Sequence, residues 1–307
     1  MALFNTYSEL ALKHAPKQKK ILDTISVESP IFTTLPTMVA STEVQNVYQR
    51  LKAVTGGNMR AIDAPANMTS ADFDLARQDL SIIDGRIEVG ADTVEILGGK
   101  DVAFGNQAPA IIKETMKNVE AGLIYDNLRA FAITNGNYSK AGGTANTNYS
   151  IITATYGEGE NIGLTSPSMM NSGKAFNFAD RMSGSAYDKT LANGDTIEVY
   201  GRQFKTLFGM QLNNADKMSA ICNIDIVNDK IPSLVQLDDM VLNAKGGENT
   251  VMYMHPRVKA MLGREYKYSK MNLFNETTGL TKMVDTYEGI PILTSWNFLD
   301  ATETNVA

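Results

Sequence analysis

The chain has 307 residues, of which 43% are hydrophobic and 20% are charged. These values are typical of one large globular domain or two modest ones, which can bury a core without disulfides or metals. The formal net charge of -6 argues against sequence-specific binding of nucleic acid. No apolar run approaches the ~20 residues of a membrane span and no secretory signal is recognisable, so we expect a protein made in a cytoplasm with no membrane partner.

Residues 1–40 are predicted to form an N-terminal arm. Within it, five basic residues lie close together: Lys13, His14, Lys17, Lys19 and Lys20. This cluster indicates a solvated arm or one that docks on a partner, and direct contact with nucleic acid is the alternative. The next stretch, SPIFTTLPTM, is predicted to be extended because Pro30 and Pro36 disfavour a continuous helix. Ile31, Phe32 and Leu35 would then be exposed and would need a neighbouring subunit to cover them.

A long hairpin is predicted next, between Val44 and Leu75. The pattern alternates around Gly56-Gly57-Asn58, which is typical of a turn between two strands. Residues 81–97 follow, with apolar positions spaced for a strand, a turn and then a short helix or strand.

The strongest helical pattern runs over residues 107–134. Asn106 is a candidate cap, Pro109 suits a first turn, and Gly136 follows the end. Apolar residues recur at helical spacing at positions Ile112, Met116, Val119, Leu123, Ile124, Leu128 and Phe131. A helix of this length spans about 40 Å at ~1.5 Å per residue and would act as a spine.

Residues 137–215 are predicted to be rich in strands, with Gly, Ser and Asn turns, and DTIEVYGRQFKTLFGMQL is the clearest hairpin arm. The chain then closes with an α/β segment. It contains a helix over 232–245, the strand TVMYM, a helix opened by Pro256, and a strand pair around MVDTY and GIPILTSW.

No catalytic, cofactor-binding or metal site is predicted. The two histidines, His14 and His255, lie far apart in sequence, and His255 is interpreted as structural. Cys222 lies in an apolar run and is interpreted as a buried structural thiol. GEGENIG, residues 157–163, has glycines like those of a phosphate-binding loop. Two glutamates stand where the phosphate would bind, so no dinucleotide site is predicted there. Four aspartates are interpreted as solvated surface because they lack the remainder of a calcium loop: Asp225, Asp229, Asp238 and Asp239.

The order of these parts resembles the Hong Kong 97 type capsid fold, and local motifs resemble the small-tailed-phage major capsid family. The motifs are ESPIFTTLP (28–36), IDGRIEV (83–89), FAITNG (131–136), FGMQLNNADKMSAICNID (208–225), NTVMYMHPRVKAML (249–262) and YEGIPILTSWNFLDATE (287–303). Together they cover most of the chain from about residue 20 to 305. The family's basic residue before the NID motif is absent, since Ala220 and Cys222 stand near that place.

The resemblance implies an α+β fold with five parts. They are an N-terminal arm (1–40), an extended loop (41–80), a peripheral domain (81–215), an axial domain (216–295) and a C-terminal segment (296–307). It further implies a non-enzymatic subunit of the virion that forms pentamers and hexamers in an icosahedral head around double-stranded DNA. Scaffolding and portal proteins are implied partners. The alternatives are an encapsulin-like shell protein, another virion structural protein, and an enzyme with a site of a new type.

Overall fold

A computed structural model describes residues 29–172, 176–247, 249–265, 269–274 and 281–306 of the protein. The basic cluster at Lys13–Lys20 therefore lies outside the described residues. Among the helices in the described ranges, none has both the length and the apolar character of a membrane span.

The seven α-helical segments of the described chain are α1 (Pro30–Thr34), α2 (Ala91–Ile96), α3 (Lys100–Gly122), α4 (Ala130–Thr134), α5 (Pro167–Ser172), α6 (Leu234–Asn243) and α7 (Pro256–Glu265). The strands are β1 (Thr37–Val39), β2 (Gln45–Thr55), β3 (Ser70–Asp79), β4 (Ser81–Gly90), β5 (Tyr138–Lys140), β6 (Tyr149–Thr155), β7 (Asn161–Thr165), β8 (Asn177–Asp180), β9 (Tyr187–Thr190), β10 (Thr196–Leu212), β11 (Met218–Ile224), β12 (Thr250–Met254), β13 (Ser269–Phe274), β14 (Thr281–Tyr287) and β15 (Ile290–Thr294).

The spine helix is α3, a π-helical turn at Leu123–Arg129, and α4 in direct succession. It is about 50 Å long at ~1.5 Å per residue. The predicted start near residue 107 is wrong, because the helix begins at Lys100, so that Asn106 and Pro109 lie inside it. Ala103 and Phe104 are fully buried in the core. Their burial stabilises the two turns before the proline, which sequence propensity alone disfavours.

The segment around Pro30 is also different from its prediction. It is the short helix α1, with Pro30 in the first turn, where no backbone N–H is needed, and Pro36 beyond its end. Ile31, Phe32 and Leu35 are buried in the chain's own core, and the Phe32 ring packs on Phe208 with centroids 5.0 Å apart. The expectation that a neighbour must cover these three residues is therefore wrong.

A six-stranded sheet is built around the 17-residue strand β10. β10 pairs antiparallel with β4, β7, β8 and β9, and β1 pairs parallel with β7. The predicted strand and short helix of residues 81–97 are confirmed as β4 and α2. The spine helix packs against β4, which places the sheet and the helix around one core.

A seven-stranded sheet has the order β13-β14-β15-β12-β6-β11-β5. Both faces of its central strands are buried: Ile152, Ala220 and Tyr253 face the spine helix, whereas Ile151 and Ile221 face the cluster of α6 and α7. This alternation follows from the two-residue period of a strand. The sheet takes β5 and β6 from the range 81–215, and its other strands come from 216–295.

The predicted hairpin is confirmed as β2 and β3. These two strands pair antiparallel with each other and form a separate two-stranded sheet. An isolated hairpin is only marginally stable in water, so its stability must come from its base or from another chain.

Candidate assembly interface

Most of the residues that were weighed as catalytic, metal-binding or phosphate-binding candidates lie in the core or in turns. His255 is buried, and its Nδ1 accepts the backbone N–H of Arg257 at 3.1 Å in the first turn of α7. Burial lowers the pKa of His255 and raises the pKa of the buried Cys222 thiol. No group of three or more candidate metal ligands occurs within the described residues. Residues 157–160 form a turn between β6 and β7, in which the Glu160 N–H donates to the Gly157 carbonyl at 3.1 Å, and residues 161–163 are the start of β7.

Asp225 is not the solvated surface residue that the sequence predicted. It is buried, and its Oδ1 accepts the backbone N–H groups of Val227 at 3.0 Å and Asn228 at 3.2 Å. The side chain of Asn228 donates to Oδ2 at 2.6 Å, and these hydrogen bonds lower the pKa of Asp225. The carboxylate therefore closes a turn after β11.

The base of the hairpin is attached to the end of β10. The Asn46 amide donates to Oε1 of Gln211 at 2.6 Å, and both side chains are buried. The Tyr48 hydroxyl donates to the Asn213 side chain, and the Leu80 N–H donates to the Val44 carbonyl at 2.8 Å. These bonds fix the direction in which the hairpin leaves the six-stranded sheet.

One face of the hairpin is apolar and exposed. Directly opposite residues of an antiparallel pair share a face, and the register places Leu51 opposite Phe73 and Val54 opposite Ala71. Leu75, two residues from Phe73, lies on the same face. We call Leu51, Val54, Ala71, Phe73 and Leu75 the apolar hairpin face. Leu51 and Phe73 are 53% and 59% exposed, so this face has no cover within the described chain.

A β-bulge makes this face continuous. The register shifts between Leu51 and Ala53, which leaves Lys52 as an extra residue on β2. In a regular strand Leu51 and Val54 would point to opposite sides, because they are three residues apart. The bulge restores Val54 to the side of Leu51.

The hairpin tip adds further apolar surface, since Met59, Ile62 and Met68 are almost completely exposed. Soluble monomers rarely expose large contiguous apolar patches, and such patches mark surfaces that another chain covers. The opposite face carries Arg50 and Asp74, an exposed ion pair with a nitrogen–oxygen distance of 3.5 Å. The hairpin is therefore amphipathic and is suited to lie on a second chain.

The end of the sheet next to the spine helix is held by an ionic cluster. The Arg202 guanidinium stacks on the Phe104 ring at 4.6 Å and donates to Asp180 at 2.6 Å and to Asp101 at 2.9 Å. On the adjoining strands, Glu88 accepts hydrogen bonds from Lys189 and from Tyr187, and the first of these is the larger cause of its lowered pKa. These contacts fix β8 and β9 relative to the start of the spine helix.

Two buried carboxylates hold the first and last segments of the described chain to the spine helix. Glu120 accepts the N–H groups of Ile31 at 3.1 Å and Phe32 at 3.5 Å on one side. On its other side it accepts the Ser295 hydroxyl and, at 3.0 Å, the Asn297 amide. Burial raises the pKa of Glu120 despite these four donors.

The second carboxylate is Glu303, near the C-terminus. It accepts the Tyr125 hydroxyl at 2.7 Å and the Ser150 hydroxyl, and its Oε2 lies 3.6 Å from Nε of Arg129. Tyr125 and Arg129 both belong to the π-helical turn, and burial raises the pKa of Glu303.

Neither Glu120 nor Glu303 was predicted to have a role, although Glu303 is the last residue of the motif at 287–303. The sequence does hold one indication that Glu120 is buried. It lies within the apolar stripe of the spine helix, one residue after Val119 and three before Leu123.

Comparison with known proteins gives the family of the chain. The family model "Major capsid protein GP7" matches residues 15–307. A search of curated proteins finds no match.

Solved structures are similar over most of the chain. The structure of bacteriophage Epsilon15 is 14% identical with a TM-score of 0.54, and 88% of each chain is covered. The bacteriophage JBD30 capsid is 8% identical with a TM-score of 0.49, covering 88% of this chain and 91% of that one. The SrpI encapsulin of Synechococcus elongatus PCC 7942 is 11% identical with a TM-score of 0.43, covering 62% and 85%.

The likeness to the Epsilon15 structure confirms the predicted α+β fold of the Hong Kong 97 type. The family match extends over nearly the whole chain, from the arm to the C-terminal segment. The protein belongs to the major capsid protein GP7 family, and its role is that of a structural subunit of a capsid.

Proposed function

We propose that the protein assembles as pentamers and hexamers into an icosahedral head that encloses double-stranded DNA. Assembly takes place in the host cytoplasm, with scaffolding and portal proteins as partners. The subunit has no enzymatic activity. The observation that supports this mode of assembly is the apolar hairpin face, which is exposed on a hairpin that pairs with no further strand of the described chain.

The hairpin supports this proposal through its energetics. Four of the five side chains of the apolar hairpin face are large and exposed: Leu51, Val54, Phe73 and Leu75. Burying such a side chain contributes about 1.5–3 kcal/mol. When each subunit places one such face on a neighbour, a closed shell repeats the contact in every copy, and many moderate contacts give a stable particle.

We further propose the functional parts of the subunit. They are the five parts that the resemblance implies: the arm (1–40), the extended loop (41–80), the peripheral domain (81–215), the axial domain (216–295) and the C-terminal segment (296–307). One boundary changes. Strands β5 and β6 belong to the axial domain, since they are hydrogen-bonded to β11 and, through β6, to β12.

The proposed contact with DNA is non-specific. The chain carries a net charge of -6, so DNA contact would fall to local basic segments such as Lys13–Lys20. Because such contacts depend on phosphate charge, we expect them to weaken as salt rises.

Negative-stain microscopy of the expressed protein tests the proposal, alone and with a lysate of infected cells. Closed shells or capsomers are expected at high concentration. Particles from infected cells should contain nuclease-protected DNA, whereas particles filled with a protein cargo would favour the encapsulin-like alternative. A species that stays monomeric in light scattering across salt and protein concentration would contradict the proposal.

A further inference from the structure

His255 joins strand β12 to helix α7 and caps the helix. Its carbonyl accepts the N–H of Lys259 at 3.2 Å, which is the first hydrogen bond of the helix, and Pro256 occupies the first helical position. The Nδ1 atom of its ring accepts the backbone N–H of Arg257 at 3.1 Å. The residues that usually make such a bond are Ser, Thr, Asp and Asn, none of which can gain a positive charge.

This hydrogen bond fixes where the proton of the neutral ring lies. A nitrogen that accepts a hydrogen bond carries no proton, so the neutral imidazole of His255 carries its proton on Nε2. Nε2 is buried and has no hydrogen-bond partner among the described residues. A second proton must therefore bind to Nδ1, where it would abolish the bond from the Arg257 N–H.

The surroundings of the ring oppose a positive charge. Tyr149 of β6 packs on it with ring centroids 5.3 Å apart, and Trp296 meets it edge-on at 5.2 Å. The charged groups that face it are Asp300 and Arg257, which pair with each other at 2.9 Å, and the Tyr149 hydroxyl donates to Asp300 at 2.6 Å. Burial lowers the pKa of His255, whereas Asp300 raises it and Arg257 lowers it.

Three effects therefore act against a protonated ring in the closed form, in which Nδ1 accepts the Arg257 N–H. The cap loses its hydrogen bond, the charge is buried, and it lies at the positive end of the dipole of α7. We propose that His255 is an acid-sensitive cap, whose protonation releases the first turn of α7 from the ring and the ring from Trp296. The seven-stranded sheet stays formed, because β12 pairs with β6 and β15 through backbone hydrogen bonds that do not involve the ring.

Acid opens the cap and neutral pH closes it. The stability that the cap contributes is complete above the ordinary histidine pKa of 6.5 and is lost as pH falls below it, because the open form binds the proton more tightly. Between the pKa of the closed form and that of the open form, the equilibrium constant for opening rises by up to about tenfold per pH unit. The opening lies within one subunit, so it goes beyond the proposed assembly and does not depend on it.

Hydrogen exchange of the full-length, unassembled protein tests this proposal, with rates corrected for the pH dependence of exchange in free peptides. Below pH 6.5 we expect protection of residues 257–261 to fall by up to about tenfold per unit, while β6 stays protected. The matched variant is His255→Asn, because asparagine can cap a helix but does not titrate, and its protection should not change with pH. An equal pH response in the unmodified protein and in His255→Asn overturns the proposal, as does a parallel loss of protection in β6.

Titration of the ring by NMR gives a second readout, which needs no change at position 255. The chain has two histidines, so His14→Asn leaves His255 as the single imidazole. We expect its C2 proton to titrate with an inflection below pH 6.5, and the Arg257 amide to shift with the same inflection. An inflection at or above pH 6.5, or an Arg257 amide that does not follow the ring, overturns the proposal.

Discussion

The carboxylate of Glu120 accepts the backbone N–H of Ile31 at 3.1 Å, across 89 residues of sequence. It thereby attaches the beginning of the described chain to the middle of the spine helix. Ser295 and Asn297 bind the other carboxylate oxygen, so one side chain joins three distant segments. Because all of these partners are donors, the site is suited to a carboxylate, although its burial opposes the charge.

The burial of Glu120 opposes its ionisation, and this predicts how the stability of the subunit depends on pH. Burial raises the pKa of Glu120 above its ordinary value of 4.5, so the folded protein binds this proton more tightly than the unfolded chain. Between the two pKa values, the contribution of Glu120 to the free energy of unfolding falls as pH rises. We expect the melting temperature of the unmodified protein, relative to Glu120→Gln, to fall as pH rises from about 4 to about 8.

The control for this experiment is Glu114→Gln, an exposed glutamate on the same helix that pairs with Lys117 at 3.4 Å. It should show no such pH-dependent difference. A constant difference between the unmodified protein and Glu120→Gln at every pH would contradict the prediction. Glu120→Ala should cost about 1–3 kcal/mol or more, because it leaves buried donors without an acceptor.

Two truncations separate the arm from the core. Deleting residues 1–36 removes Ile31, Phe32 and Leu35, each at most 1% exposed. Their burial contributes about 1.5–3 kcal/mol each, which together approaches the total stability of a typical domain. We expect this protein to fail to fold in circular dichroism. Deleting residues 1–28 should leave a cooperative thermal transition but reduce particle yield, and normal particles from that truncation would refute the arm's role.

The apolar hairpin face should matter for assembly and little for folding. Leu51→Ser/Phe73→Ser is expected to reduce particle yield in sedimentation, while the melting temperature of the free subunit changes little, since both side chains are exposed there. The matched control is Arg50→Ser/Asp74→Ser on the opposite face, whose exposed ion pair contributes at most about 1 kcal/mol. Equal yields from the two double variants would show that the apolar face does not form the contact.

The core of the six-stranded sheet depends on a glycine. Gly85 lies opposite Phe204 in the pairing of β4 with β10, and a Cβ at Gly85 would overlap the Phe204 ring, with Cε1 at 2.6 Å. Gly85→Ala should therefore destabilise the subunit by about 1–3 kcal/mol in urea unfolding. Gly105→Ala is the control, for which we expect a change in stability in the opposite direction. Gly105 is exposed within α3 with open space around it, so alanine should stabilise by up to about 1 kcal/mol.

A second substitution at Phe204 tests whether steric overlap with its ring causes the loss of stability in Gly85→Ala. Phe204→Leu in the Gly85→Ala background should restore part of the lost stability, because the smaller side chain leaves room for the new methyl group. Additive losses in the double variant would contradict the steric explanation.

The sequence alone determined the elements whose signals are local. The hairpin β2–β3, the strand β12 and the helices α6 and α7 were predicted because alternation, helical spacing and turn residues act within a few positions. The order of these elements and the motifs along the chain also indicated the family. No long-range contact was needed for these conclusions.

Only the tertiary structure decided the features that depend on residues distant in sequence. Burial of Ala103 and Phe104 extends the spine helix beyond the start that Asn106 and Pro109 suggested. Ile31 and Phe32 looked exposed because the core that covers them is supplied by later strands. A bulge turns Val54 to the side of Leu51, against strict alternation. Packing outweighs local propensity in the spine helix and around Ile31. Burying several large apolar side chains contributes about 1.5–3 kcal/mol each, and their sum exceeds the ~3 kcal/mol cost of one proline inside a helix.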